Sequence, residues 1–254
     1  MKIISILFIF FLPAVCFSQL PVVASKKYSW VTPTAGDQKK IMTSIIFEGS
    51  AHDMAFLQMS ANAITSDKNT SLQVPDNEEH LILVKSGTIG IGIKDRKWSV
   101  GGGSIALLMP GEMYNIQNAG KDSCTCYLMK YRSKSPVNRT AAENENSFVK
   151  DWNEIAFKPH DRGGIRNFFE KTTPMSKRFE MHVTTLKEGI KSHEPHTHRA
   201  EEIVLVIENN TEMQIGDQFY KGGTGDIYYL GSNMPHAIQN VGTGTCTYFA
   251  FQFE

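Results

Sequence analysis

His193-Glu194-Pro195-His196-Thr197-His198-Arg199-Ala200-Glu201-Glu202, followed further on by Asn233-Met234-Pro235-His236, decides how this chain is read. If the first stretch is extended, its side chains alternate between two faces. His196, His198 and Glu202 then point one way, and Glu201 points the other, toward a surface or interface. His236 leaves a turn and opens the run Ala237-Ile238-Gln239, which in an antiparallel barrel can lie opposite the first stretch. Three imidazoles and one carboxylate would converge inside the barrel. That donor set suits one divalent transition metal (Mn, Fe, Ni, Zn, Co or Cu) and leaves positions for water or substrate. Two histidines at i, i+2 arise by accident. The whole series, with a Gly225-Asp226 turn between its halves, is far more specific. His193 differs in parity and belongs outside the ligand set, either behind the ligands or at the entrance.

The stretch is also half of a repeat. Residues 77–131 match residues 200–253 in order. Glu78-Glu79 falls against Glu201-Glu202 at an offset of 123, and Ile116-Gln117-Asn118 against Ile238-Gln239-Asn240 at 122, so one residue is gained or lost in between. Both copies consist of short Val-, Ile-, Tyr- and Phe-rich runs separated by Gly, Asn, Asp and Pro, without helical periodicity. The fold class is therefore all-β, two tandem barrels or sandwiches. The expected division is a leader at 1–18, an N-terminal arm at 19–45, barrel 1 at 46–133, a linker at 134–158 and barrel 2 at 159–254. Residues 134–145 are polar and hold Pro136. Residues 148–157 form a short helix or strand docked between the barrels.

The series His196, His198, Glu202, Gly225, Asp226, Pro235, His236 resembles the two motifs of the cupin superfamily. The resemblance covers most of 180–254 and residues 70–132 in outline. It implies jelly-roll barrels, a metal in the second barrel, and homo-oligomers associated through their sheets; two copies make a bicupin. In the first copy the offsets set Gln73, Val74, Pro75, Glu79 and Tyr114 at the motif positions, so that only Glu79 keeps a ligand type. The first barrel is expected to be metal-free, with His80 a packed residue. A more distant similarity, around Phe179-Glu180-Met181-His182-Val183, is to the ureidoglycine aminohydrolases. These bicupins also pair a metal-free first cupin with a metal-bearing second one, but their ligand types differ at the positions of His196, Glu202 and His236.

Composition narrows the classes further. Lys plus Arg and Asp plus Glu are both 26, so the net charge is zero and the basic footprint of a nucleic-acid binder is lacking. At the start, Lys2, an apolar run from Ile3 to Leu12, Pro13 and the small residues Cys16 and Ser18 have the order of a secretory signal peptide. The run is too short to span a bilayer. A periplasmic or secreted protein follows, without membrane attachment after cleavage. Cys124, Cys126 and Cys246 would remain, an odd count that argues against a disulfide framework; they are read as buried small hydrophobes. Tyr228, Tyr229 and Phe249 are expected in the core. His160, Arg162 and Arg166 are read as a solvated loop, with a carboxylate clamp as the alternative.

The function expected from these residues is that of a metal-dependent enzyme (lyase, isomerase, hydrolase or dioxygenase) acting on a small oxygen-rich molecule such as a sugar-derived or hydroxy-carboxylic acid. The alternatives are a ureidoglycine aminohydrolase-like hydrolase and a non-catalytic binding or structural cupin. The sequence names no proton-transfer residue.

Overall fold

The structure, a computed structural model, describes residues 20–37, 40–65, 67 and 69–254. The leader and Cys16 lie outside them. Two barrels follow each other along the chain. In the first, a seven-stranded sheet (in order Phe148–Lys150, Ile105–Leu108, Glu79–Ser86, Cys124–Ser133, Met54–Ile64, Ile41–Gly49, Ala35–Asp37) closes over a four-stranded one. In the second, Lys26–Tyr28, Ile227–Leu230, Glu201–Glu208, Cys246–Phe253, Phe179–Leu186, Gly163–Lys171 and Lys158–His160 form the large sheet over a three-stranded one. Every pairing between these strands is antiparallel.

The large sheets carry the central packing. Along Glu79–Ser86, Ile82 and Val84 enter the lumen of their own barrel, while Leu81 and Leu83 enter a core shared with the other barrel. Burial on both faces explains why these strands read as continuous apolar runs rather than as alternation. Tyr127, Tyr131 and Leu57 from one barrel meet Phe179, Phe249 and Phe251 from the other. Each such side chain contributes about 1.5–3 kcal/mol on burial, so the two barrels form one hydrophobic unit. Two carboxylates are buried in this interface. Glu79 accepts hydrogen bonds from Tyr131 Oη and from the Met175 backbone N–H. Glu201 accepts them from Tyr229 Oη (2.5 Å) and from the backbone N–H groups of His52 and Asp53. The face expected for Glu201 is thus an interface.

The internal repeat is more regular than the sequence comparison implies. Lys26–Tyr28 and Phe148–Lys150 begin equivalent strands at an offset of 122 (148 − 26), and Ile41–Gly49, Glu79–Ser86, Ile89–Ile93 and Ile105–Leu108 recur at the same spacing. Even the bulges repeat, between Ile45 and Phe47 and between Asn167 and Phe169. This corrects the alignment above: Glu79 is the counterpart of Glu201, not of Glu202, and from Glu79 onward the paired strands keep one offset.

The segments leading into the barrels are exchanged. Lys26–Tyr28 pairs with Ile227–Tyr229 of the second barrel, and Phe148–Lys150 pairs with Ile105–Leu107 of the first. The strand Ile41–Gly49 crosses the 45/46 boundary expected between arm and barrel. The linker holds a short helix, Arg139–Asn144, capped by the Asn138 side chain. After Phe148–Lys150, a 3-10 turn at Trp152–Glu154 places Trp152 in the shared core. There it lies over Gly103, whose φ of +82° and lack of a Cβ leave room for the indole.

Candidate metal centre

The second barrel brings its histidines together. His196 pairs with His236 as an isolated antiparallel bridge, with backbone hydrogen bonds in both directions (3.2 and 3.1 Å). The turn before His236 is fixed by Asn233, at φ +58°, whose N–H donates to the His198 carbonyl (2.8 Å). Residues 197–200 are not strand, so the extended stretch assumed from parity is interrupted. The ligand atoms converge nonetheless. Those of His196, His198 and His236 all lie within 4.8 Å of one another. Glu202, on the adjoining strand, places Oε2 at 3.0 Å from His198 Nε2 and 3.4 Å from His236 Nε2.

The hydrogen bonding of the rings says what this arrangement accommodates. His198 Nδ1 lies 2.8 Å from the Ala200 carbonyl, and His236 Nδ1 lies 2.8 Å from the Met234 carbonyl. A carbonyl only accepts, so both Nδ1 atoms carry the proton and both Nε2 atoms turn inward. A neutral His198 would then aim a lone pair at a carboxylate oxygen, and His236 Nε2 is buried without a hydrogen-bond partner. The cluster is complete only with a cation between these atoms, either a proton or a metal ion. Without a metal, the Glu202 hydrogen bond raises the His198 pKa. Burial alone would raise the Glu202 carboxyl, but the His198 and His236 imidazoles hold it down at about 2. Burial and the neighbouring imidazoles lower His196. These residues fit a divalent ion: imidazole Nε2 atoms oriented by backbone carbonyls, plus one carboxylate, are ordinary transition-metal donors.

A cavity of about 310 Å³ opens on the cluster. Leu186, Val204, Met213 and Ile238 line its apolar part, and His160, Arg162, His182 and His193 its polar part. Of the residues read as a solvated loop, His160 and Arg162 therefore belong to the cavity wall. Arg166 does not: it donates to the Ile155 carbonyl and stacks on Trp152 at 4.7 Å. His193, expected outside the ligand set, stacks edge-on to His196 at 4.0 Å. Tyr228 packs in the second barrel's lumen, and Tyr229 and Phe249 pack between the barrels.

Sequence reading missed a polar network beside the ligands. The Gln252 amide donates to Glu202 Oε2 (3.2 Å), Arg178 donates to Gln252 Oε1 (3.3 Å) and Glu180 Oε2 (2.5 Å), and Glu180 Oε1 lies 2.8 Å from His182 Nδ1. The signal was alternation in Phe179–Leu186. Phe179, Met181 and Val183 face the shared core, which leaves Glu180 and His182 on the lumen side.

Among the described residues, the first barrel lacks an equivalent cluster. Tyr114 is opposite Leu72 in the ladder, as His236 is opposite His196, and Val74 follows, fully buried. Apolar side chains thus replace imidazoles at these positions, rather than the Gln73 and Pro75 of the sequence alignment. His80 stands at the Glu202 position, as a neutral packed ring. Burial and then the Lys130 charge hold its pKa at about 3, and neither ring nitrogen has a hydrogen-bond partner. Cys124, Cys126 and Cys246 are free and buried. Among the described residues, no helix is long and apolar enough to cross a membrane.

Comparison with known proteins bears on the fold. A cupin-domain family signature matches residues 182–251. No curated protein matches the sequence. Similar solved structures include AerE from Microcystis aeruginosa (TM-score 0.66, 14% identity, 89% of this chain and 98% of that one). Protein Ylba from E. coli (0.69, 14%, 94% and 95%) and Lactobacillus farciminis oxalate decarboxylase in a formate complex (0.67, 12%, 91% and 86%) are also similar. Residues 182–251 therefore carry a cupin domain, and the chain as a whole shares the two-barrel fold of these structures.

Proposed function

We propose that this protein is an exported, metal-dependent bicupin enzyme. One divalent transition metal (Mn, Fe, Ni, Zn, Co or Cu) is held by His196, His198, Glu202 and His236. The substrate is a small hydroxy-carboxylic or sugar-derived acid. The observation that carries the metal assignment is the orientation of His198 and His236, whose Nδ1–H groups are tied to carbonyls while Nε2 faces Glu202. When bound, such an ion polarises a carboxylate or carbonyl oxygen as a Lewis acid. The chain's own part is to orient three imidazoles through backbone bonds, to exclude bulk water with an apolar wall, and to present Arg162 and His160 to an acid. The cavity volume, about 310 Å³, suits a small molecule. Support for export is the order of charge, apolar run and small residues in 1–18.

The test is elemental analysis of protein purified without chelators, beside His236→Ala. About one metal equivalent in the wild type and none in the variant is expected. Equal metal in both removes the ligand assignment, and no metal in either after reconstitution moves the weight to a non-catalytic cupin. Mass analysis of the exported chain tests cleavage near Ser18.

A further inference from the structure

Resting on that reading, we propose that His182 is the proton-transfer residue of the cavity: Glu180 holds its Nδ1–H, and Nε2 takes the hydroxyl proton of a bound hydroxy acid. The ring lines the same cavity as Glu202 and His236. Its Nδ1 is 2.8 Å from Glu180 Oε1. Glu180 is ionised, because its hydrogen bond with His182 and its pairing with Arg178 outweigh partial burial. A carboxylate only accepts, so Nδ1 carries a proton, and in the neutral ring Nε2 holds the lone pair. Arg178 keeps Glu180 in place at 2.5 Å and is itself held by Glu170 at 2.7 Å. Through Gln252 the same guanidinium reaches Glu202, so the ring and the ligand set hang on one network.

The neighbours of His182 leave Nε2 available for a ligand. On the strands either side it faces Asn167 and Ala250 in register, neither of which titrates. Glu180 is the charged partner on its own strand, and across the cavity stand His160, Arg162, His196, Glu202 and His236. The step balances: the substrate O–H bond breaks, an Nε2–H bond forms, the ring becomes an imidazolium, and the alkoxide electron pair stays on the substrate oxygen. Glu180 offsets the new positive charge.

The first barrel supplies an internal comparison. At an offset of 122 (182 − 60), Ser60 stands where His182 does, Gln58 where Glu180 does, Phe56 where Arg178 does and Lys130 where Gln252 does. The barrel with converging imidazoles has the carboxylate–histidine pair, and the barrel without them has neither member of it.

The experiment uses the protein loaded with zinc and labelled with 15N-histidine, the ring signals of His182 being assigned by comparison with His182→Gln. Glycolate is the probe, and acetate, which has the carboxylate without the hydroxyl, is the control. Zinc content of His182→Gln is expected to equal the wild type, and its glycolate affinity to fall about ten-fold or more, as for loss of one charge-assisted hydrogen bond. In the wild type, glycolate but not acetate is expected to add a proton to Nε2; Glu180→Gln weakens this response. Zinc-dependent glycolate binding that leaves Nε2 unchanged, or protonation by acetate as strong as by glycolate, overturns the proposal while leaving the acid reading intact. Zinc binding without glycolate binding overturns both. Loss of zinc in His182→Gln makes the residue part of the metal site and overturns the proposal as well.

Discussion

Glu79 offers a quantitative test of the contact between the barrels. Its carboxyl is fully buried, and burial pushes its pKa from an ordinary 4.5 to about 7, against the opposing hydrogen bonds from Tyr131 and Met175. The folded state therefore binds this proton more tightly than the unfolded chain. For a raised carboxyl pKa, stability is greatest below the unfolded value, declines as pH rises from about 4.5 to about 7, and is flat above. Each pH unit in that window is worth about 1.4 kcal/mol, so the decline amounts to about 3 kcal/mol. Glu79→Gln keeps a similar shape and a carbonyl acceptor but cannot ionise. Urea unfolding of both proteins at pH 5 and pH 8 measures the difference. The wild type is expected to lose about 3 kcal/mol more than the variant between the two conditions. Parallel profiles would mean that Glu79 is ionised in the native state throughout, and would refute the argument that its burial dominates.

Three further outcomes follow from particular contacts. Glu202→Gln removes the group that raises His198, so the acid limb of metal binding moves to lower pH. Zinc affinity above pH 8 falls by about 100-fold or more, beyond the loss typical of residues that merely orient ligands, as competition with a chromogenic chelator would measure. Gly103→Ala would put a Cβ at 2.4 Å from the Trp152 ring at a φ of +82° and is expected to cost about 2–5 kcal/mol; Gly244→Ala, at φ +78° with nothing near, should cost about 1–2. Equal urea midpoints for the two would deny Trp152 its place in the shared core. The thiols of Cys124 and Cys246, pushed up to about 11 by burial, should resist iodoacetamide at pH 8 until the protein is unfolded, and rapid labelling of the native state would contradict their packing.

Much of this was legible in the sequence because the signals were local. The all-β pattern and the duplication show in short apolar runs and recurrent turns. His196, His198, Glu202 and His236 could be grouped from alternation and one turn, though residues 197–200 depart from the extended path. What failed depended on neighbours distant in the chain. Matching Glu79 to Glu202 followed from two adjacent glutamates in each copy. The ladder shows that the loops before them take different courses, with Leu72 rather than Gln73 in the place of His196. Nothing in the sequence sets His182 and Glu180 apart from the surface polar residues of an alternating strand; the structure places that strand's apolar side against the other barrel. Arg162 and Arg166 are near in sequence and chemically alike, but one lines the cavity and the other stacks on Trp152.

The exchanged leading strands have a consequence for how such a chain could arise and fold. Lys26–Tyr28 reaches across to Ile227–Tyr229, and Phe148–Lys150 reaches back to Ile105–Leu107, at one common register. Cut the connection after the first copy, and the two halves have the topology of a domain-swapped homodimer, each lending its arm to the other. Within one polypeptide the two halves can differ at equivalent positions, as they do here with His196 and His236 in one and Leu72 and Tyr114 in the other. The single chain also ties completion of the sheet to a contact about 200 residues apart in the chain. Loop-closure entropy places that contact late in folding. The second barrel therefore gains its first strand after the rest of its sheet, and a mutation in the arm should leave the folding rate nearly unchanged while speeding unfolding.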